Sequence, residues 1–244
     1  MYQSNAGPVT ALHEVSLTIG RGEFIALIGP SGCGKSTLMR LIGDLDQVTK
    51  GSITVKGKTP RQARIDREYG IVFQSPVLYD WRTVRKNVEL PLEVMGHPAN
   101  ERRDRARAML QTVGLRDFEN AFPWQLSGGM QQRVAIARAL VFEPSILMMD
   151  EPFGALDEMT RERLQAELLK VWGGSESDTT VVFVTHSISE AVFLSDRVVV
   201  MSPRPGRIET VIPIDLPRPR NKKTREMPGF FHLITQVRDS LRES

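Results

Sequence analysis

An apolar run, Phe24 to Ile28, leads into Gly29-Pro30-Ser31-Gly32-Cys33-Gly34-Lys35-Ser36, and a helical pattern, Ser36 to Ile42, leaves it. A strand that turns through closely spaced glycines straight into a helix constrains the chain more than any other stretch. Glycines let successive backbone N–H groups turn toward one point, and the helix start adds the positive end of its dipole there. What such a loop holds is an anion. The spacing G-x-x-x-x-G-K-[ST] narrows the anion to the phosphates of a nucleoside triphosphate. Lys35 is then placed to reach the β- and γ-phosphates, Ser36 to bind Mg²⁺, and Thr37 to add a hydroxyl near the α-phosphate. Cys33 reads as a small spacer, although a thiol at a helix start can also be reactive.

The rest of the chain supplies the matching framework. Continuously apolar runs at Ile71 to Phe73, Ile146 to Met149, Val181 to Val184 and Val198 to Met201 suit strands of a parallel sheet buried on both faces. Helical patterns between them predict an α/β fold. Val15, Leu17 and Ile19 alternate with Ser16 and Thr18, and Ile53 and Val55 repeat that period, which predicts antiparallel strands beside the main core. From about Val84 to Leu140 no strand is predicted; Glu101 to Val113 reads as a charged helix and Gln131 to Leu140 as an apolar-sided one. This predicts a helical subdomain inserted at about 84–140. Met159 to Trp172 is expected to be an amphipathic helix with Leu164, Leu168, Val171 and Trp172 on one face. The expected division is a main domain over 1–215, then 216–244 as a basic connector, Leu216-Pro217-Arg218-Pro219-Arg220, with a C-terminal helix carrying the stripe Phe230, Leu233, Ile234, Val237 and Leu241. That stripe predicts a helix docked on the core.

Composition excludes several classes. Of 244 residues, 32 are Lys or Arg and 29 Asp or Glu, a net charge of +3 far short of the clustered charge of a dedicated nucleic-acid binder. One cysteine allows no internal disulfide and fits a reducing compartment. No stretch approaches the roughly 20 apolar residues of a membrane span, and Met1 to Pro8 lacks the basic and apolar regions of a secretory leader.

Phosphate loops occur in many enzymes, so the class comes from four further motifs. Gln74 is followed by Leu126-Ser127-Gly128-Gly129-Met130-Gln131, then by Ile146-Leu147-Met148-Met149-Asp150-Glu151-Pro152 at the end of an apolar run, and last by Thr185-His186. In order and spacing this set resembles the ATP-binding cassette (ABC) ATPases over essentially the whole chain. The resemblance implies a P-loop NTPase domain of the ABC type, with an antiparallel β subdomain and an inserted helical subdomain, using ATP and Mg²⁺. Asp150 corresponds to the aspartate that holds Mg²⁺ together with Ser36 and Gln74. Glu151 corresponds to the general base that orients the attacking water. Gln74 is the glutamine that senses γ-phosphate and His186 the switch histidine, while Ala155-Leu156-Asp157 matches the D-loop, with Asp157 among the nucleotide-binding residues. Tyr2 matches by position the aromatic that stacks on adenine, although the strand that precedes it in most family members has no counterpart ahead of Tyr2.

The resemblance also implies a pair. Ser127, Gly128, Gly129 and Gln131 belong to the signature that completes the opposite subunit's site, giving a head-to-tail homodimer around two ATP molecules. Asp80-Trp81-Arg82-Thr83-Val84, Asn87-Val88-Glu89-Leu90-Pro91-Leu92 and Glu190 to Ile208 look like the nitrate/sulfonate/taurine group of importer ATPases. That implies transmembrane permease subunits, with Trp81 as an apolar contact, and a solute-binding protein. It implies a peripheral position at the cytoplasmic face of the inner membrane and no nucleic-acid partner. The alternatives are the motor of an exporter or lipoprotein-releasing system and a soluble, nucleic-acid-linked ABC ATPase. The short interval from Lys35 to Leu126 leaves no room for the long arm many of the latter carry. Glu101 and Asp104 interrupt the arginines at 102, 103, 105 and 107, so that helix reads as a solvated face. The connector from Arg218 to Arg225 is basic enough to meet lipid headgroups.

Overall fold

The computed structural model describes residues 2–4, 7–173 and 178–243. In chain order the elements are strands β1 (Tyr2–Ser4), β2 (Gly7–Val9) and β3 (Phe24–Ile28), helices α1 (Lys35–Ile42) and α2 (Pro60–Ile65), and strand β4 (Tyr69–Val72). Three helices follow, α3 (Val84–Val94), α4 (Ala99–Thr112) and α5 (Gly128–Leu140), and then β5 (Ile146–Asp150) and α6 (Glu158–Trp172). The chain ends with β6 (Thr180–Val184), α7 (Ile188–Leu194), β7 (Arg197–Met201), β8 (Ile208–Pro213) and α8 (Pro228–Glu243).

Six strands form one sheet in the order β4-β5-β6-β3-β7-β8. The first five run parallel and β8 joins β7 antiparallel. The apolar runs become central strands because both of their faces are covered. Phe24, Ala26 and Ile28 of β3 enter one core with Phe183, Val198 and Val200, while Ile25 and Leu27 enter a second with Val182, Val199 and Met201. The two-residue pleat thus divides one continuous run between two layers. Helix α1 covers the second core through Leu38 and Met39; α5, α6, α7 and α8 cover the first. Phe24 lies edge-on to Trp172 at 5.3 Å between ring centroids, which ties α6 to the middle of the sheet.

Three expectations need correction. The antiparallel strands at Val15–Ile19 and Ile53–Val55 are not laddered. Val15, Leu17, Ile19 and Ile53 do pack against the second core while Ser16 and Thr18 are exposed, but the backbone there forms only one isolated bridge, Val55 with Lys58. Alternation reports which side chains face a core, and a ladder additionally needs a partner for every N–H. The described antiparallel pairing lies elsewhere, between β1 and β2 and between β7 and β8. On α6, Val171 is exposed, and the buried face carries Gln165 and Leu169 beside Leu164, Leu168 and Trp172.

The third correction concerns the basic connector, whose arginines turn inward. Arg220 is buried and donates to five carbonyls, those of Val192, Phe193, Ser195, Ile214 and Leu216. Burial lowers its guanidinium to about 10, and its bonds to Val192, Phe193 and Ser195 close the C-terminal end of α7. Arg218 pairs with Asp196 at 2.6 Å and lies over the Trp172 ring; Arg225 lies over Phe193. These groups hold α8 against α7, with Phe230 and Val237 buried, so that of the basic residues from 218 to 225 only Lys222 and Lys223 are exposed.

Candidate nucleotide site

Four strands end at one edge of the sheet and release residues expected to carry the chemistry. β3 runs into the glycine loop, β4 into Gln74, β5 into Asp150 and Glu151, and β6 into Thr185 and His186. In α/β sheets this carboxyl edge is where ligands bind. A cleft of about 620 Å³ opens there, lined by Gly29, Ser31, Gly32, Gly34, Lys35, Ser36, Thr37, Gln74, Glu151 and His186, together with Val9, Ala11 and Arg204.

The loop has the backbone its glycines permit. Gly34 sits at φ 106°, where an added Cβ would lie 2.7 Å from the Leu12 side chain and 3.1 Å from the Ala11 carbonyl. It starts α1 without a side-chain cap, so the first N–H groups of the helix have no intrahelical partner and face the cleft. Lys35 is buried and its Nζ donates to the Gly29 and Pro30 carbonyls at 2.8 and 2.9 Å. An anion in the cradle competes with those carbonyls for the ammonium.

Ser36 Oγ donates to Asp150 Oδ1 at 3.1 Å, joining the helix start to the end of β5. Burial pushes the Asp150 carboxyl above its ordinary range; the Ser36 hydroxyl draws it back and the neighbouring Glu151 charge raises it further. Glu151 has left the strand: its N–H still bonds the Val184 carbonyl, but its φ is 47°. A non-glycine residue there stores about 1–3 kcal/mol, strain of the kind found at functional sites. The twist sends its carboxylate into the cleft, where Oε2 meets His186 Nδ1 at 3.2 Å and Gln74 Nε2 at 3.5 Å. Three motifs far apart in sequence thus converge on one oxygen.

The segment after Gln74 is held from beneath by α5. Gln132 donates to the Phe73 carbonyl, and Arg138 to those of Pro76 and Val77. Buried Asn87 of α3 bonds both the N–H and the carbonyl of Tyr79. The loop is therefore fixed at its base, while Trp81 stays 74% exposed with its ring 4.8 Å from Tyr79.

The remaining expected residues lie elsewhere. Pro30 and Cys33 do not line the cleft. Cys33 is 1% exposed, so its thiol is not a reactive group facing nucleotide, and only its backbone is left for the cradle. Ser127, Gly128, Gly129, Gln131 and Asp157 are outside the chain's own cleft. Ser127 caps α5 by accepting from the Met130 N–H. Gln131 anchors the preceding turn through the Pro123 and Leu126 carbonyls. Asp157 caps α6 by accepting from the Thr160 N–H, which holds its carboxyl below the usual range. Tyr2 falls in β1, with its side chain outside the described atoms.

Sequence reasoning missed Arg204. It reaches the cleft because Ser202–Gly206 is clamped on the glycine loop. The Gly206 N–H bonds the Ala11 carbonyl and the His13 N–H bonds the Gly206 carbonyl. A Cβ on Gly206 would overlap the Cys33 carbonyl at 1.8 Å. The prolines and glycine of that stretch break regular structure, but nothing in them says what lies beside it.

Comparison with known proteins agrees with this geometry. The family model described as ABC transporter matches residues 12–154. An uncharacterized ABC transporter ATP-binding protein of Methanocaldococcus jannaschii is 51% identical over 97% of this chain and 87% of its own length. A nitrate import ATP-binding protein of a Synechocystis strain is 44% identical over 99% of this chain and 92% of its own. An aliphatic sulfonates import ATP-binding protein of Bacillus thuringiensis is 42% identical, covering 97% and 90%. Among solved structures, a dimeric post-hydrolysis ATP-binding cassette bound to ADP and Pi superposes with a TM-score of 0.79 at 39% identity, covering 87% of this chain and 94% of that one. With a glycine loop, a carboxylate and a histidine gathered in one cleft, and with the family model spanning more than half its length, this chain belongs to the ABC transporter family as an ATP-binding, ATP-hydrolysing domain.

Proposed function

We propose that this chain is the motor subunit of an importer for a small solute of the nitrate, sulfonate or taurine type. It acts as a head-to-tail homodimer on a separate permease at the cytoplasmic face of the inner membrane, with a solute-binding protein delivering cargo from outside. The observation that carries this reading is the end-to-end match to nitrate and sulfonate import proteins at 42–44% identity. The exposed Trp81, on a loop whose base is fixed by α5, supplies the permease contact.

The chemistry follows from the cleft. Lys35 and the N–H groups of the loop and of α1 hold the β- and γ-phosphates. Glu151 orients the attacking water and accepts its proton, Gln74 and His186 share the Glu151 carboxylate until γ-phosphate draws them away, and His186 then contacts that phosphate. Tyr2 stacks on adenine. The residues present fit Mg²⁺: Ser36 Oγ and Asp150 Oδ1 are hard oxygen donors 3.1 Å apart, and the buried Asp150 charge is one that a cation would compensate. When bound, Mg²⁺ neutralises charge on the β- and γ-phosphate oxygens.

Ser127, Gly128, Gly129, Gln131 and Asp157 act across the dimer, where the start of α5 meets the γ-phosphate held by the second copy. Hydrolysis removes that contact and lets the dimer open.

The test is an affinity pull-down of tagged Glu151→Gln chain from detergent-solubilised membranes in ATP, with partners identified by mass spectrometry. A multi-span permease and a solute-binding protein are the expected partners. A permease without a binding protein turns the reading to an exporter or lipoprotein-releasing system. A dimer confined to the soluble fraction refutes a transporter.

A further inference from the structure

Glu190 is a carboxylate that the proposed chemistry does not use, yet it is only 6% exposed. A buried charge is costly unless its oxygens are satisfied. Oε2 accepts from Thr185 Oγ1 at 2.6 Å, Oε1 accepts from Gln165 Nε2 at 3.2 Å, and Arg161 Nε lies 3.6 Å from Oε1. Burial raises this carboxyl, while the Thr185 hydroxyl and Arg161 draw it back.

The directions of these bonds are fixed from both ends. Arg225, which can only donate, gives a hydrogen bond to Gln165 Oε1, so the Gln165 amide must present Nε2 to Glu190. On the other side the Ser187 N–H donates to Thr185 Oγ1 at 3.0 Å, so the Thr185 hydroxyl proton must point at Glu190. Glu190 is therefore the acceptor on which both branches close. Thr185 is 1% exposed and its own N–H bonds the Leu27 carbonyl of β3. The two bonds of the Thr185 hydroxyl tie down the residues on either side of His186, whose ring is itself mostly exposed.

We propose that Glu190 is a positioning residue for His186, setting the loop at the end of β6 through the Thr185 hydroxyl and joining that loop to two distant segments. One is the Asp157 loop, since Arg161 also donates to the Leu156 carbonyl at 2.9 Å. The other is the C-terminal segment, through Gln165 and Arg225. The histidine and the loop expected to face a second copy thus share one buried anion. Replacing it with Gln either sets an amide donor against Gln165 Nε2, where turning Gln165 to accept would forfeit its bond to Arg225, or makes the Thr185 hydroxyl accept where it now donates, leaving its proton without the carboxylate.

The inference rests on His186 acting at the γ-phosphate, so His186→Ala is measured beside Glu190→Gln, Thr185→Val and Thr185→Ser. Each full-length chain is assayed for kcat and KM for ATP and for melting temperature. Expected are a kcat about tenfold lower at unchanged KM in Glu190→Gln and Thr185→Val, most of the rate recovered in Thr185→Ser, and a larger loss in His186→Ala. If His186→Ala keeps its rate, the reading of the site fails. If only His186→Ala is impaired, Glu190 does not position it and the inference alone falls. A loss in Glu190→Gln that follows melting temperature, with the remaining folded protein at full kcat, also overturns it. Should Glu190→Gln not fold, the Val and Ser variants at Thr185 decide: equal rates in the two refute the proposal.

Discussion

Two helices of this molecule begin at a glycine-rich turn, and they begin differently. Helix α1 starts at Gly34 with no side-chain cap, inside a cleft lined by Glu151 and His186. Helix α5 starts at Ser127, whose hydroxyl takes the Met130 N–H, and its Gly128 faces open space: no atom lies within 4 Å of where a Cβ would stand. The first helix start has a carboxylate and a histidine within reach. The second has the same dipole and no chemistry beside it. A helix N-terminus attracts anions wherever it lies, so the difference is one of geometry: the start of α1 opens into the cleft and the start of α5 lies outside it. In the dimer proposed above, a second copy placed head to tail would bring the two helix starts together.

The largest effect should come from the side that has the chemistry. Glu151→Gln keeps the shape of the side chain and removes the base, so turnover should fall by about 10²–10⁴ while ATP still binds. Light scattering should then show dimers that accumulate in ATP. A variant that remains monomeric in saturating ATP would leave the outward-facing helix start without a role.

Next comes the outward side alone. Gly128→Glu places a carboxylate at the start of α5, where the dipole favours it and no atom is in the way. Folding should be unaffected, yet the charge would face the partner's γ-phosphate, and turnover should fall about 100-fold. Mixing this variant with Lys35→Ala sharpens the test, since each mixed dimer then holds one site made of an intact cradle and an intact signature. About a quarter of the wild-type rate should return if the two chains pair at random. No recovery on mixing would mean that each chain completes its own site.

This asymmetry was only partly legible in the sequence. The cradle could be read directly, because strand, glycines, lysine and helix are contiguous and each has a physical reason to be there. The central strands were legible because residues such as Phe24 to Ile28 are apolar at every position, and only a strand covered on both faces needs that. Strand β8 escaped notice because an edge strand needs one apolar face, and Thr210 and Glu209 interrupt its run. Convergence was illegible in the residues themselves: nothing local to Gln74, Glu151 or His186 says that they meet at one oxygen, and the resemblance supplied only that all three act around one γ-phosphate. Arg218, Arg220 and Arg225 misled because a basic stretch reads the same whether its charges face solvent or the carbonyls at the end of a helix. Only the tertiary fold decides.

A smaller effect separates the cap from the chemistry. Ser127→Ala removes the Met130 bond, which should cost about 1 kcal/mol of stability, seen as a lower melting temperature. If Ser127 also meets the partner's phosphate, turnover should drop severalfold at temperatures where the chain is fully folded. A loss that appears only on heating would assign Ser127 to the fold alone.

The smallest effect concerns the rim of the cradle. Arg204 makes no ion pair or hydrogen bond among the described residues, yet it lines the cleft, with a guanidinium nitrogen 3.7 Å from where a Cβ on Gly32 would be. Its backbone is immobilised by the contact of Gly206 with the Cys33 carbonyl, so the charge stays near the cradle although the side chain is exposed. An exposed pairing of this kind contributes about 0.2–1 kcal/mol. Arg204→Ala should accordingly raise KM for ATP by about 1.4-fold to fivefold and leave kcat unchanged, because the group lies beside Gly32 of the glycine loop. Since the interaction is solvent-screened, the difference from wild type should shrink at high salt. A change in kcat with constant KM would instead place Arg204 with the reacting groups, and the contrast between the two helix starts would then extend to the rim that surrounds the first of them.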